Sequence, residues 1–204
     1  MMTGLNLPKE CGVMLLPDCT LFPQGGLPLF IFEERYRLML ADALAGDCVF
    51  AVGRVRNEGE KETVSPVGTA GLIRASRERE DGTSELLLHG VIRVRFLRWL
   101  EDKPYPCALI EPVLPEPMEP GKGEAAMKTL RGAVEDGISH LPAEVRDAVM
   151  TILAQTDEPT LMADVVAQQF VHEPDLRQEL LETESTAKRI SMLCGFFQNL
   201  QAGD

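Results

Sequence analysis

The segment PVLPEPMEPGKG, residues 112–123, places four prolines and two glycines in twelve positions. Proline has a fixed φ and no backbone N–H, so such a run supports neither a strand ladder nor a helix. It must be a connection, and the hydrophobic period changes across it. The chain is therefore read in three parts: a β-rich domain over 1–115, a Pro/Gly linker over 116–123 and a helical bundle over 124–204.

Before the linker, short apolar runs alternate with turn residues. Val13–Leu16 reads as a strand that ends at Pro17-Asp18, and Leu27–Phe32 as a second. Cys48–Val55 reads as a buried strand. Gly68–Arg74 and Ser84–His89 flank Asp81-Gly82, a hairpin signal. In Val91–Trp99, Ile92, Val94 and Phe96 alternate with Arg93 and Arg95, which predicts one buried face and one wet face. Tyr105–Val113 completes the series. One helix interrupts it over Glu33–Ala45, with Tyr36, Met39, Leu40 and Leu44 on one face and Gly46 at its end. Many short strands with one helix predict a small closed or partly closed barrel.

After the linker, apolar residues recur at three and four. Met127, Leu130, Val134, Ile138 and Leu141 form one stripe. Val145, Val149 and Ile152 form a second, after Pro142. Leu161, Val165 and Val166 form a third, Leu176, Leu180 and Leu181 a fourth, after Pro174. Ile190, Leu193, Phe197 and Leu200 form the last. Each predicts a helix that buries one face against its neighbours.

The net charge is −12, with 13 basic and 16 acidic side chains in residues 1–115 against 7 and 16 in the remainder. That sign repels phosphate backbones and argues against nucleic acid as a partner. The amino terminus shows no signal-peptide pattern and no run reaches a membrane span, which together predict a cytoplasmic protein. Five cysteines, an odd number with no C-x-x-C, predict reduced thiols.

The run LLPDCTLFPQGGLPLFIFEERYRLML resembles the opening of the amino-terminal, substrate-binding domain of the Lon proteases. The family pattern is carried by Leu16-Pro17, Leu21-Phe22-Pro23, Leu27-Pro28-Leu29, Phe32-Glu33 and Arg35-Tyr36. Val67–Gly71 before the hairpin, Gly90-Val91-Ile92-Arg93, and Leu180–Thr183 followed by Lys188-Arg189 extend the likeness over nearly the whole chain. Gln24 stands where the family often has glycine, so Gly25 and Gly26 are expected to supply that turn. The resemblance implies an α+β fold, a PUA-like β-barrel N-terminal domain followed by an α-helical bundle. It also implies a bacterial recognition module accessory to proteolysis, without ATPase or peptidase. No G-x-x-x-x-G-K-[ST] occurs, and Gly121-Lys122-Gly123 lacks the spacing of a phosphate loop.

Candidate chemistry is sparse. Ser185 and Lys188 match S-x-x-K, but the companion S-D-N and K-T-G motifs are absent, and Thr183 or Ser185 serves equally as a helix N-cap. His89, His140 and His172 show no metal-ligand spacing, so no metal or other cofactor is expected. Glu33-Glu34 reads as charge at a helix N-terminus. Arg93 and Arg95 fit either a patch for a carboxylate or phosphate or a solvated sheet face with cross-strand glutamates. The function these features support is non-enzymatic binding of unfolded or extended polypeptide segments, or of a protein partner. The surface would be formed by Pro23, Leu29, Phe32, Arg35, Tyr36, Arg93 and Arg95. The runner-up is a PUA-like binder of RNA or a small ligand, which the acidic balance and the 5% aromatic content disfavour. Purified protein is expected to turn over neither ATP nor casein. Casein cleavage that disappears in Ser185→Ala would overturn the reading of S-x-x-K.

Overall fold

The computed structural model describes residues 7–58 and 61–202. The chain forms two compact units. The first draws on Met1–Leu114 and His172–Glu182, the second on Pro115–Val171 and Thr183–Asp204.

The first unit is a mostly antiparallel seven-stranded sheet with two helices. Its strands are β1 (Glu10–Pro17), β2 (Gly26–Ile31), β3 (Val49–Glu58), β4 (Lys61–Val64), β5 (Val67–Glu78), β6 (Ser84–Leu100) and β7 (Cys107–Pro112). They follow the order β1-β7-β6-β5-β3-β4, and a parallel ladder between β1 and β3 closes a five-stranded ring. β2 stands off the ring and, among the described residues, pairs with β6 alone, from Gly26 opposite His89 to Ile31 opposite Ser84. Helix α1 (Glu34–Ala45) follows β2.

Two segments read separately in the sequence, Ser84–His89 and Val91–Trp99, form the single strand β6. A register shift against β5 near Gly90 lets it stay continuous while it changes partners. Its first half pairs β2 and β5, its second half β5 and β7.

Two apolar clusters follow from the strands' alternation. Cys11, Val13, Val49, Ala51, Ala70, Val94, Ala108 and Ile110 come from all five ring strands and fill the ring with small side chains. On the other face, Tyr36, Met39 and Leu40 of α1 meet Met14, Phe50, Ile31, Leu86 and Leu88. Leu44, expected on the same helical face, is exposed. All five cysteines are free. The Cys11 thiol is pushed up to about 12, chiefly by burial, so it stays protonated and inert.

The turn before β2 is clamped onto β6. Gln24 N–H donates to the Gly90 carbonyl at 2.8 Å, and Gly90 N–H donates to the Gly25 carbonyl at 2.8 Å. Gln24 itself takes the left-handed conformation expected of its glycine neighbours, with φ 65°. A Cβ on Gly90 would lie 2.2 Å from the Phe22 carbonyl oxygen.

The second unit contains α2 (Gly123–Gly137), α3 (Ala143–Ala154), α4 (Pro159–Phe170) and α6 (Thr186–Ala202). Leu130, Val134, Met162, Val166, Leu193 and Phe197 form its interior, with Phe170 edge-on to Phe197 at 5.6 Å. Arg189 makes a buried ion pair with Asp164 and donates to Thr186 Oγ1 at 3.1 Å. Pro159 opens α4, and Glu158 accepts from the N–H groups of Thr160 and Leu161 at 3.0 and 2.6 Å.

Two expectations are corrected. The stripe of Val145, Val149 and Ile152 is not a core face. Ile152 is 55% exposed, and Leu153 is the buried residue of α3. Arg131 of α2 fixes α3 by its C-terminal end instead, donating to the carbonyls of Leu153 at 3.1 Å and Thr156 at 2.8 Å. The helix with Leu176, Leu180 and Leu181, placed with the bundle over 124–204, is α5 (Pro174–Glu182) and belongs to the sheet unit. Its polar residues hold it there. Gln178 Nε2 donates to the Val67 carbonyl at 2.8 Å and Arg177 Nη2 to the Thr20 carbonyl at 2.6 Å.

These geometries set a stability test. Gly90→Ala is expected to cost about 3 kcal/mol, because the clash is with backbone, and to lower the thermal midpoint by roughly 6–12 °C. Gln24→Gly should hold or raise the midpoint, whereas Gln24→Val should lower it, since a β-branched residue resists positive φ. Equal midpoints for Gly90→Ala and the parent in a thermal melt would refute the clamp.

Candidate functional site

The seven residues expected to form a binding surface divide in the structure. Tyr36 is core. Its hydroxyl donates to the Leu15 carbonyl and accepts from the Leu15 N–H, each at 3.1 Å, and burial pushes its pKa up. Leu29 points into the cluster under α1 and Pro23 is half-buried in the clamped turn. Phe32 is 62% exposed. Arg35 is exposed, pairs with Glu33 at 2.8 Å and lies over the Tyr36 ring at 4.7 Å.

Arg93 does not sit on a wet face. It is 3% exposed, and its Nε donates to the Leu181 carbonyl of α5 at 3.0 Å. The register explains this. Val52 opposes Thr69, and Thr69 opposes Arg93, so the three share one outer face of the ring. The Leu21–Phe22 turn and α5 cover that row. Thr69 Oγ1 donates to the Leu21 carbonyl, and the Arg93 guanidinium lies 6.0 Å from the Phe22 ring. Arg95, next on that face, is half-buried and pairs with Glu111 at 3.6 Å.

The two arginines are also remote from Phe32. β2 pairs the Ser84–His89 half of β6, with Phe30 opposite Glu85. Arg93 lies eight residues further along β6, about 26 Å at the rise of a strand.

What the structure does assemble is the outward face of β2. Leu27, Leu29 and Ile31 alternate inward, so Pro28 and Phe30 project outward and Phe32 follows them. Phe30 is 49% exposed, and its ring lies 6.1 Å from that of Phe32 with planes 27° apart. Leu87 of β6 opposes Pro28, a diagonal neighbour of Phe30, and is also exposed. Arg79 caps the Phe30 ring at 5.1 Å and pairs with Glu85. Sequence reasoning assigned Phe32 to the surface and passed over Phe30, Leu87 and Arg79. The strict alternation of GLPLFI held the signal for Phe30. Beyond β6, no strand among the described residues pairs with β2, so its second edge carries unpaired backbone groups.

Other polar groups are structural. Tyr105 and Lys103 donate to one Asp42 oxygen at 2.6 and 3.0 Å. These bonds lower the Asp42 pKa, while burial and the bond to Asp42 push the Tyr105 phenol up to about 12. Ser185 Oγ accepts from the Lys188 N–H at 3.5 Å at the start of α6, and Lys188 is exposed. Among the described residues, no group of three or more His, Cys, Asp or Glu could hold a metal. No helix there is long and apolar enough to cross a membrane.

Arg93→Ala should therefore act on stability. Removing a charged donor from a buried carbonyl costs about 2 kcal/mol or more. A variant with an unchanged thermal midpoint would show that the contact with α5 carries no stability.

The fold and sequence place the chain among known proteins. The N-terminal domain of a Mycobacterium avium complex Lon protease superposes with a TM-score of 0.76 at 13% identity, covering 94% of this chain and 99% of that one. The Lon N-terminal domain protein from Xanthomonas campestris gives 0.65 at 20% identity, covering 92% and 98%. Lon protease of Trichlorobacter lovleyi is 27% identical over 195 residues, 92% of this chain. That of Dictyoglomus thermophilum is 24% identical over 188 residues. The chain spans only 23% and 24% of the length of those two proteases. The family described as the ATP-dependent protease La (LON) substrate-binding domain matches residues 10–199, and this chain belongs to it.

Proposed function

We propose that this chain is a non-catalytic binding module that takes extended polypeptide segments on β2. The observation that carries the reading is an apolar edge strand with one open edge and two stacked, half-exposed aromatic side chains on its outward face. A segment added to β2 gains main-chain hydrogen bonds along that edge, whatever its sequence, except at Pro28, which has no N–H to donate. Phe30, Phe32 and Leu87 then give its outward side chains apolar ground. Arg79 and Arg35 lie over the rings of Phe30 and Tyr36 at the margin. Membership of a family named for substrate binding to a protease supports an accessory role in proteolysis. In this reading the site lies beside the Ser84–His89 half of β6, with Tyr36 and Leu29 beneath it and with Arg93 and Arg95 outside it.

The test is binding of a permanently unfolded, fluorescently labelled polypeptide by anisotropy. Losing an aromatic anchor costs about 2 kcal/mol, roughly thirtyfold in Kd. Phe30→Ser and Phe32→Ser should each show that loss with thermal midpoints within about 2 °C of the parent, since surface changes move stability little. Trp99→Ser, an exposed aromatic on the second half of β6, should bind normally. If both phenylalanine variants stay folded and keep full affinity, β2 is not the site.

A further inference from the structure

Away from β2, a concave cavity of about 700 Å³ opens between β3 and α5, with Asp18, Arg54, Arg56, Asp175, Glu179 and Glu182 in its wall. Residues two apart on a strand share a face, so Arg54 and Arg56 both project toward it, about 7 Å apart along β3. Val55 opposes Val64, and the Ser65 N–H donates to the Arg54 carbonyl at 2.9 Å. Cross-strand partners share a face, which adds the Ser65 hydroxyl beside Arg54.

A count of donors and acceptors is informative here. Arg54 is 5% exposed. Its Nη1 donates to Asp175 at 2.8 Å and its Nη2 to Asp18 at 3.4 Å. Glu182 accepts from Gln178 Nε2 at 2.8 Å, and Glu179 has a partner of its own. The four carboxylates are thus engaged. Geometry nevertheless leaves three donors over: Arg54 Nε, Arg56 Nε and Ser65 Oγ are buried and meet no acceptor, although the wall carries four carboxylates against two guanidinium groups. Among the described residues Arg56 forms no ion pair within 4.0 Å; it lines the cavity, and its charge adds to that of Arg54 in lowering the Asp175 pKa. Charged N–H groups held without acceptors cost more than neutral ones, so such a cluster calls for an oxygen ligand.

We infer that this cavity binds a monoanionic carboxylate, held in the planar fork of Arg56 with Arg54 and Ser65 behind it. The fork of a guanidinium matches the two oxygens of a carboxylate. The surrounding Asp18, Asp175, Glu179 and Glu182 repel any anion, and a dianion such as phosphate about twice as strongly, so the cavity favours a single charge held by short contacts to the Arg56 fork. The carboxylate comes either from the end of a polypeptide or from a small free acid. The inference does not depend on the β2 reading, because none of its residues lies on β2.

The experiment follows the arginine Nε–H and Ser65 amide signals of the ¹⁵N-labelled chain by NMR at neutral pH. Sodium acetate is expected to move them saturably, whereas sodium chloride at equal ionic strength is not. Arg56→Gln should weaken acetate binding about tenfold with an unchanged thermal midpoint, and Arg56→Lys should recover part of it. Ala-Leu-Ala with a free carboxyl group binding more tightly than acetate, while its amide fails, identifies a polypeptide end as the source. Acetate binding without the tripeptide identifies a small acid. The inference is overturned if acetate does no more than chloride, if inorganic phosphate or the amide binds as tightly as the acid, or if Arg56→Gln binds acetate like the parent.

Discussion

The parallel ladder that sets Val13–Pro17 beside Ala51–Val55 governs the sheet unit. Antiparallel neighbours can be joined by a tight turn, but a parallel pair needs a crossover, and here β2 and α1 supply it. Because β1 and β3 are joined, the five strands of the ring have no free edges, and β2 and β4 stand outside it. The two outer strands differ in kind. β4 is four residues, KETV, short and half charged, the composition of a protected edge. β2 is GLPLFI, longer and apolar, and its only such device is Pro28, which breaks the row of N–H groups. Ring closure thereby leaves these two as the outer strands, and the exposed aromatic side chains lie along β2.

Buried arginine is the second theme. Arg54, Arg93 and Arg189 are each at most 5% exposed, and each has a specific counterpart: two carboxylates for Arg54, a helix carbonyl for Arg93, a buried carboxylate for Arg189. A guanidinium taken out of water is stable only with such partners, so removing one partner costs more than the pair contributes. The contacts of Arg54 and Arg93 therefore specify where α5 sits more than they add to stability.

Much of the architecture was legible in the sequence. The proline-rich segment and the change of period separate strands from helices, and the alternation of Leu27–Phe32 and of Val91–Phe96 identifies β2 and the second half of β6. The misreadings share a cause. Alternation tells which residues share a face, not whether that face meets water, so Arg93 was read as solvated although α5 and the Phe22 turn cover it. Likewise a 3.6-residue stripe tells which side of a helix is apolar, not what it meets, so the stripe of Val145, Val149 and Ile152 does not locate the buried Leu153 of α3, and that of α5 does not reveal that it packs on the sheet unit. For the candidate site, Phe32 was legible because it ends an apolar strand before a charged helix. The pairing of β2 with Ser84–His89, which adds Leu87 and Arg79, depends on a long-range register that no local pattern carries.

The position of α5 also bears on the order in which the protein is made. β7 ends at Pro112, yet the helix that shields Arg93 and pairs with Arg54 begins only at Pro174. On a ribosome the ring strands emerge some sixty residues before their covering helix. Through that interval two guanidinium groups have no partner from α5, and the part of the outer face of β3, β5 and β6 that α5 covers lies open. Folding of the sheet unit is thus tied to contacts of high sequence separation. Shortening the chain at the proline-rich segment, the boundary its composition invites, would remove a structural part of the barrel.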